Sequence, residues 1–288
     1  MNSDRLVIVR GGGDIATGTI QKLWRAGFQT VVLETVRPSA IRRNVALCEA
    51  VYEGEWTVED VTAVCVKGLD EAMAEIAAGR VPLMIDPDCA VLQEVHPLAL
   101  VDAILAKRNL GTNKNMAGIT IGLGPGFTAG EDVDAVVETM RGHNLGRLIL
   151  SGTALPNTGM PGMIAGIGKE RVIHAPAAGC MHNIRSIGDT VQKGEVIARI
   201  GDTPVKASLD GIIRGLIRNG YFVEEGLKIA DIDPRVSEKA NCFTISDKAR
   251  CIGGSVLEAV MMLARRQQDP GSGAAAAYNI KTGYEDVE

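Results

Sequence analysis

Apolar positions along this chain follow two rhythms. Up to about residue 150, short unbroken apolar runs alternate with stretches whose apolar residues recur every three to four positions; beyond about residue 170, brief apolar pairs are broken every few residues by Gly, Asp or Asn. The first rhythm predicts buried strands linked by amphipathic helices, and the second predicts short antiparallel strands. Val7-Ile8-Val9 reads as a strand, Ala16, Ile20, Leu23, Trp24 and Gly27 fall on one helical face, and Val31-Val32-Leu33 reads as a second strand. Residues 61–66 predict a strand, followed by a short helix bearing Leu69, Ala72, Met73 and Ile76, and residues 82–85 a buried strand ending at Asp86. Leu100, Val101, Ile104 and Leu105 predict the next helix, residues 117–122 a strand, and Val133, Val136, Val137 and Met140 a helix after a second glycine-rich turn. Residues 147–150 read as a closing strand. The expected fold class is α/β, with a Rossmann-like parallel sheet.

The rhythm changes after a Gly-, Pro-, Thr- and Asn-rich stretch, residues 151–168, which marks a boundary near residue 160. Beyond it a pattern repeats: Ala-Pro-x-x-Gly…Gly-Asp-x-Val-x-x-Gly returns from Ala207 to Gly226 as Ala-Ser-x-Asp-Gly…Asn-Gly-x-x-Val-x-x-Gly. Two similar halves imply pseudo-twofold packing. From about residue 172 to 231 the segment resembles the biotinyl/lipoyl, or barrel-sandwich hybrid, family. The connection Ile200-Gly-Asp-Thr-Pro-Val205 has no lysine at its tip, so no covalent biotin or lipoate is expected. The predicted organisation is a Rossmann-like domain over 1–160, an inserted β module over 161–233, a strand and helix over 234–268 that pack back on the first domain, and a disordered tail over 269–288.

Composition narrows the function classes. Hydrophobic residues make up 46% of the 288 residues against 3% aromatic, so the core is built from aliphatic side chains. The net charge of −5, with no lysine-arginine run, argues against nucleic acid as a partner. No apolar window reaches the length of a membrane span and no leader pattern opens the chain, so a cytoplasmic location is expected. Six scattered cysteines give no disulfide framework, and Cys180-x-His182 is the closest approach to a metal-ligand pair. Exposed strand edges in the β module favour self-association into a homo-oligomer.

The candidate chemistry centres on the first turn. In Gly11-Gly12-Gly13-Asp14-Ile15-Ala16, Gly11 permits a tight turn, Gly13 lets the backbone approach a pyrophosphate, and Ala16 takes the packing glycine's place at the start of a helix whose N–H groups favour anions. Glu34, at the end of the second strand, is placed to accept from a ribose hydroxyl. Asp14 opposes phosphate unless it caps the helix. The polar loop Lys107-Arg108-Asn109 and the second glycine turn, with Gly124, Gly126 and Thr128, complete the candidate cofactor-binding set. Near the C-terminus, Cys242, Asp247 and Lys248 are the catalytic candidates, Cys242 as a carrier thiol and Lys248, or else His143, as the proton donor of an oxidoreductase.

Taken in order, Val-Arg-Gly-Gly-Gly-Asp-Ile-Ala-Thr-Gly, Ala-Lys-Arg-Asn-Leu-Gly-Thr, Ile-Gly-Leu-Gly-Pro-Gly-Phe-Thr-Ala-Gly-Glu-Asp-Val, Gly-Thr-Ala-Leu-Pro-Asn-Thr-Gly and Cys-Phe-Thr-Ile-Ser-Asp-Lys-Ala resemble the YqeB family, accessory proteins of selenium-dependent molybdenum hydroxylases. The opening unit, through Glu34 and Arg37-Pro38, is also similar to the Rossmann region of XdhC-type chaperones, with Asp14 where those carry histidine. The resemblance implies maturation or insertion of molybdenum cofactor or its labile selenium, molybdopterin or its dinucleotide form as ligand, and a hydroxylase subunit as partner. Two alternatives stay open. One is an NAD-dependent oxidoreductase; the other is a non-catalytic scaffold for a hydroxylase.

Overall fold

The computed structural model describes residues 3–159 and 162–268. Strand β1 (Leu6–Arg10) is buried along its whole length. Val7 and Val9 enter one core with Ala16, Ile20 and Leu23 of helix α1 (Asp14–Arg25), while Leu6 and Ile8 enter a second core on the opposite face. A strand covered on both faces is apolar at every position, which is why the sequence shows a continuous run here and not an alternation.

The chain continues through β2 (Gln29–Glu34), α2 (Ala50–Glu53), β3 (Glu55–Val58), β4 (Val61–Val66), α3 (Leu69–Ala77), β5 (Val81–Ile85) and β6 (Ala99–Asp102). It then forms β7 (Ile119–Leu123), β8 (Thr128–Ala129), β9 (Ala135–Val137), β10 (Leu148–Ile149) and β11 (Gly152–Thr153). Nine of these strands make one sheet in the order β10-β9-β7-β6-β1-β2-β5-β4-β3, and β8 pairs separately with β11. Every pairing in the large sheet is parallel except the two outermost, β3 with β4 and β9 with β10. The chain leaves β1 on one side through β2 and returns on the other at β6. Ligands of open parallel sheets sit at the carboxyl ends of strands beside such a reversal.

Two expected helices are strands. Leu100 and Val101 lie in β6, in register with Ile8 and Val9 on one side and with Thr120 and Ile121 on the other. Val136 and Val137 lie in β9, between β7 and β10. Both apolar runs are too short to declare their period. The neighbouring strands' free backbone groups decide the matter, since buried N–H and C=O groups must be paired. Consequently the second glycine turn leads to strands and faces no helix N-terminus.

The β module comprises β12 (Val172–His174), β13 (Gly179–Asn183), β14 (Thr190–Val191), β15 (Val196–Ile200), β16 (Thr203–Lys206), β17 (Gly211–Leu216), β18 (Phe222–Val223) and β19 (Lys228–Asp233). They form two antiparallel four-stranded sheets, β12-β19-β17-β14 and β16-β15-β13-β18, which share one aliphatic core. Exchanging β12 to β15 for β16 to β19 in order converts one sheet into the other, so the sequence repeat has a counterpart in the strand order. The tip between β15 and β16 is Gly201-Asp202, and Lys206 lies at the far end of β16 opposite Val196. The segment after β2 anchors the module: Leu216 N–H donates to the Ile41 carbonyl, and Arg218 pairs with Glu49 and Glu53 while lying over the Tyr52 ring.

Helix α4 (Asp247–Gln268) returns to the large sheet and packs across α1. Its apolar face, including Ala249, Ile252, Val256 and Val260, completes the α1-side core. The helices cross backbone to backbone: a Cβ built on Gly18 falls 2.4 Å from the Ala249 carbonyl oxygen, and one on Gly253 falls 2.4 Å from that of Gly18. The tail expected over 269–288 lies outside the described residues. Among the described residues no helix is long and apolar enough to cross a membrane.

The two adjacent glycines of α4 give a paired prediction. Gly253→Ala forces the helices apart and is expected to cost about 3 kcal/mol. Gly254→Ala, whose Cβ meets nothing within 4 Å, is expected to stabilise by about 0.5–1 kcal/mol through helix propensity. Urea unfolding of both variants checks the opposite signs.

Candidate functional site at the first glycine turn

Gly11 holds a left-handed conformation, φ +92°. Gly12 N–H donates to Glu34 Oε2 at 2.8 Å, and Thr35 N–H donates to Oε1 at 2.7 Å. Glu34 is thus the brace of the turn as well as part of its wall, and burial raises its carboxyl pKa against the pull of those two donors. Thr17 Oγ1 donates to the Gly13 carbonyl and accepts from Leu47 N–H, tying the following segment to the same turn. Ala16 is buried beneath it.

Gly13 is the N-cap of α1 and receives no side-chain cap; a Cβ there has no atom within 4 Å. Asp14 makes no cap either. It pairs instead with Arg42 at 3.6 Å. The helix therefore opens onto free space with its N-terminal N–H groups available. Beside the turn is a cavity of about 250 Å³ lined by Arg10, Gly11, Glu34, Asp86, Ile104 and Leu110 among others. Its floor is the point of strand reversal, where buried Arg10 donates to Asp102, Thr112 Oγ1 and the Pro87 carbonyl. Ile104 and Leu110 are exposed apolar side chains in its lining.

The other candidates divide. Asn109 spends its side chain on its own loop, accepting from Gly111 and Thr112 N–H and donating to the Thr112 carbonyl. Lys107 and Arg108 are exposed and have no ion-pair partner among the described residues. A Cβ on Gly126 meets the Arg108 Cα at 2.6 Å, and one on Gly124 meets Thr139 Oγ1 at 2.5 Å, so these glycines serve close packing. Thr128 N–H is held by Asp132. The second glycine turn is a self-fastened loop.

Cys242, Asp247 and Lys248 do not converge on one centre. Cys242 is 2% exposed in the β-module core, and burial raises its thiol pKa despite Arg42 and Arg214. Its setting is that of a packing thiol. Asp247 is exposed and grips Arg141 through two contacts of 2.9 Å, which hold its carboxyl well below the usual carboxylate range. Lys248 is half-buried; burial, with Arg141 nearby, lowers its ammonium pKa.

Sequence reasoning missed Arg42, the cation that pairs with Asp14. Arg42 is 8% exposed, donates to the Asn241 and Thr244 carbonyls, and keeps a buried Nε without a hydrogen-bond partner. Lys228, at the start of β19, is half-buried, and burial lowers its ammonium pKa. Asp231 binds Arg171 and Arg214, and Asp233 binds Arg235. No spacing marks these residues, because they come from separate strands and loops. Among the described residues no group of three or more His, Cys, Asp or Glu side chains is arranged to hold a metal ion.

An uncharacterized protein of Escherichia coli (strain K12), YqeB, is 54% identical to this chain over 259 residues, 90% of its length. The chain is a homologue of YqeB. It spans 48% of that relative's own length. No family model matches it. Among solved structures, an aspartoacylase family protein from Mesorhizobium loti aligns with 70% of this chain and 56% of its own at 9% identity and a TM-score of 0.23. A succinylglutamate desuccinylase from Silicibacter sp. TM1040 aligns with 79% and 84% at 13% identity and 0.24. Scores this low say nothing about the site.

The Asp247–Arg141 pair predicts an acid-labile element. Because the folded carboxyl is held below its unfolded value of 3.8, the stabilisation is present above about pH 4 and is lost as pH falls. Asp247→Asn is expected to melt below the unmodified protein at pH 7, with the gap closing toward pH 2.5, as followed by circular dichroism.

Proposed function

We propose that the first glycine turn binds the phosphate of a nucleotide-bearing ligand, molybdopterin or its dinucleotide form, and that the chain is an accessory protein in the maturation of selenium-dependent molybdenum hydroxylases. The observation that carries the ligand reading is the uncapped start of α1 at Gly13, open where a Cβ stands, next to a cavity with a carboxylate on one wall and apolar side chains on another. A Rossmann-like reading of the sheet agrees with it: the nucleoside lies between Glu34 and Leu110, and the phosphates face Gly13. The orphaned Nε of buried Arg42 fits an anionic ligand on the same side.

When bound, such a ligand supplies a dithiolene for molybdenum. The residues of this chain bind and orient it: the turn's N–H groups and Arg42 hold charge, and the Glu34 carboxylate accepts from a hydroxyl. The β module, read as a barrel-sandwich hybrid, covers the cleft or meets the client hydroxylase. The client assignment rests on the motifs shared with the YqeB family.

Mass spectrometry of small molecules released from the protein, purified from cells that make molybdenum cofactor, is expected to find a pterin or its dinucleotide. Nicotinamide dinucleotide alone transfers the assignment to an oxidoreductase, and an empty protein favours a scaffold. Gly13→Val, placed where a side chain meets no atom, is expected to cost at most about 1 kcal/mol of stability while lowering ligand occupancy at least tenfold.

A further inference from the structure

Glu34, Asp86 and Asp88 all line the cavity beside the first glycine turn, and two of the three are committed to the backbone. Glu34 accepts from Gly12 and Thr35 N–H; Asp86 accepts from Ala90 N–H at 2.8 Å through Oδ1 and from Val91 N–H at 2.9 Å through Oδ2. Asp88 differs: among the described residues its side chain has no hydrogen-bond or ion-pair partner. The turn that presents it is nonetheless fixed. Asp86 N–H donates to the Glu34 carbonyl at 3.1 Å, buried Arg10 donates to the Pro87 carbonyl at 3.2 Å, and Cys89 N–H donates to the Asp86 carbonyl at 3.3 Å. The cation in the lining, Arg10, is itself paired with Asp102 at 3.3 Å. Leu33, Pro87, Ile104 and Leu110 supply apolar surface. At about 250 Å³ the cavity is smaller than the roughly 300–1,000 Å³ of pockets that enclose drug-sized ligands, so it suits a single ring system. An uncommitted carboxylate in its wall calls for a ring that carries N–H donors, and it turns phosphate away toward the helix start.

A carboxylate offers two acceptor oxygens in one plane and takes parallel N–H bonds from a planar fork. Guanine and pterin rings present such a fork, the ring N–H and exocyclic amino group of a 2-amino-4-oxopyrimidine; adenine and hypoxanthine do not. An uncharged fork also leaves water for an apolar lining at less cost than an ammonium group. We propose that Asp88 is the specificity-determining residue of this cavity and reads the 2-amino-4-oxopyrimidine edge of a guanine or pterin ring. This deepens the proposed function and rests on it in taking the ligand to be a pterin or a nucleotide. Asp88 binds and selects; no chemical step is assigned to it.

The test is calorimetric titration of the full chain with GMP, IMP and AMP, and with 6-hydroxymethylpterin. GMP or the pterin is expected to bind roughly tenfold or more tighter than IMP and AMP, since IMP lacks only the 2-amino group and leaves the carboxylate half-paired. Preference for GMP assigns the ring to a guanine nucleotide, and binding of the pterin alone assigns it to a pterin. Asp88→Asn, at an exposed position with no partner to lose, is expected to keep the melting temperature and to weaken the preferred probe roughly tenfold or more. Where GMP is preferred, the same variant is expected to gain affinity for XMP, whose 2-oxo group accepts from an amide. Equal affinity for all the probes, or an unchanged preference in Asp88→Asn, overturns the role of Asp88 while leaving the proposed function standing. No binding of any probe at millimolar concentration overturns it as well, and the proposed function is then decided separately by the ligand released for mass spectrometry.

Discussion

The structure turns on a contact between two backbones. Gly18 of α1 and Gly253 of α4 let the helices approach so closely that a methyl group on either collides with the main chain of the other. Close approach makes the α1 face and the α4 face one core, and it returns the chain to the large sheet after the excursion into the β module. It also sets α4's first turn against α1's first turn. Ala249, in that turn of α4, meets Gly18 directly because Gly18 lacks a side chain.

The site is consequently a junction and not a property of one element. Its turn is braced by Glu34 from β2, its floor is the buried Arg10, Asp102 and Thr112 cluster at the strand reversal, and Arg42 from the loop after β2 pairs with Asp14 at the helix start. Arg10, Asp102 and Thr112 hydrogen-bond to one another, which fixes the floor of the cavity. Asp231, Asp233 and Asp247 are committed to arginines.

The segment that docks the β module shows how the two parts share their polar groups. Ile41, Arg43 and Leu216 exchange backbone and side-chain hydrogen bonds, and Arg218 reaches Glu49, Glu53 and the Tyr52 ring. Arg42 lies in the same segment, so the chain that anchors the module also delivers the charge that answers Asp14.

By itself the sequence determined what local periodicity and turn chemistry determine: the strand, glycine turn, helix and strand of the opening unit, the strand and helix over 61–77, and the two-halved β module. Those features are legible because apolar spacing and backbone freedom act within a few residues. Tertiary structure alone decided that residues 99–102 and 135–137 are strands, because their backbone partners belong to strands remote in sequence. It decided that Cys242, which follows polar Asn241 in the chain, is a core thiol, and that Gly124 and Gly126 serve packing. It also brought Arg42 to Asp14, since ion pairing depends on distances in space that no spacing along the chain records.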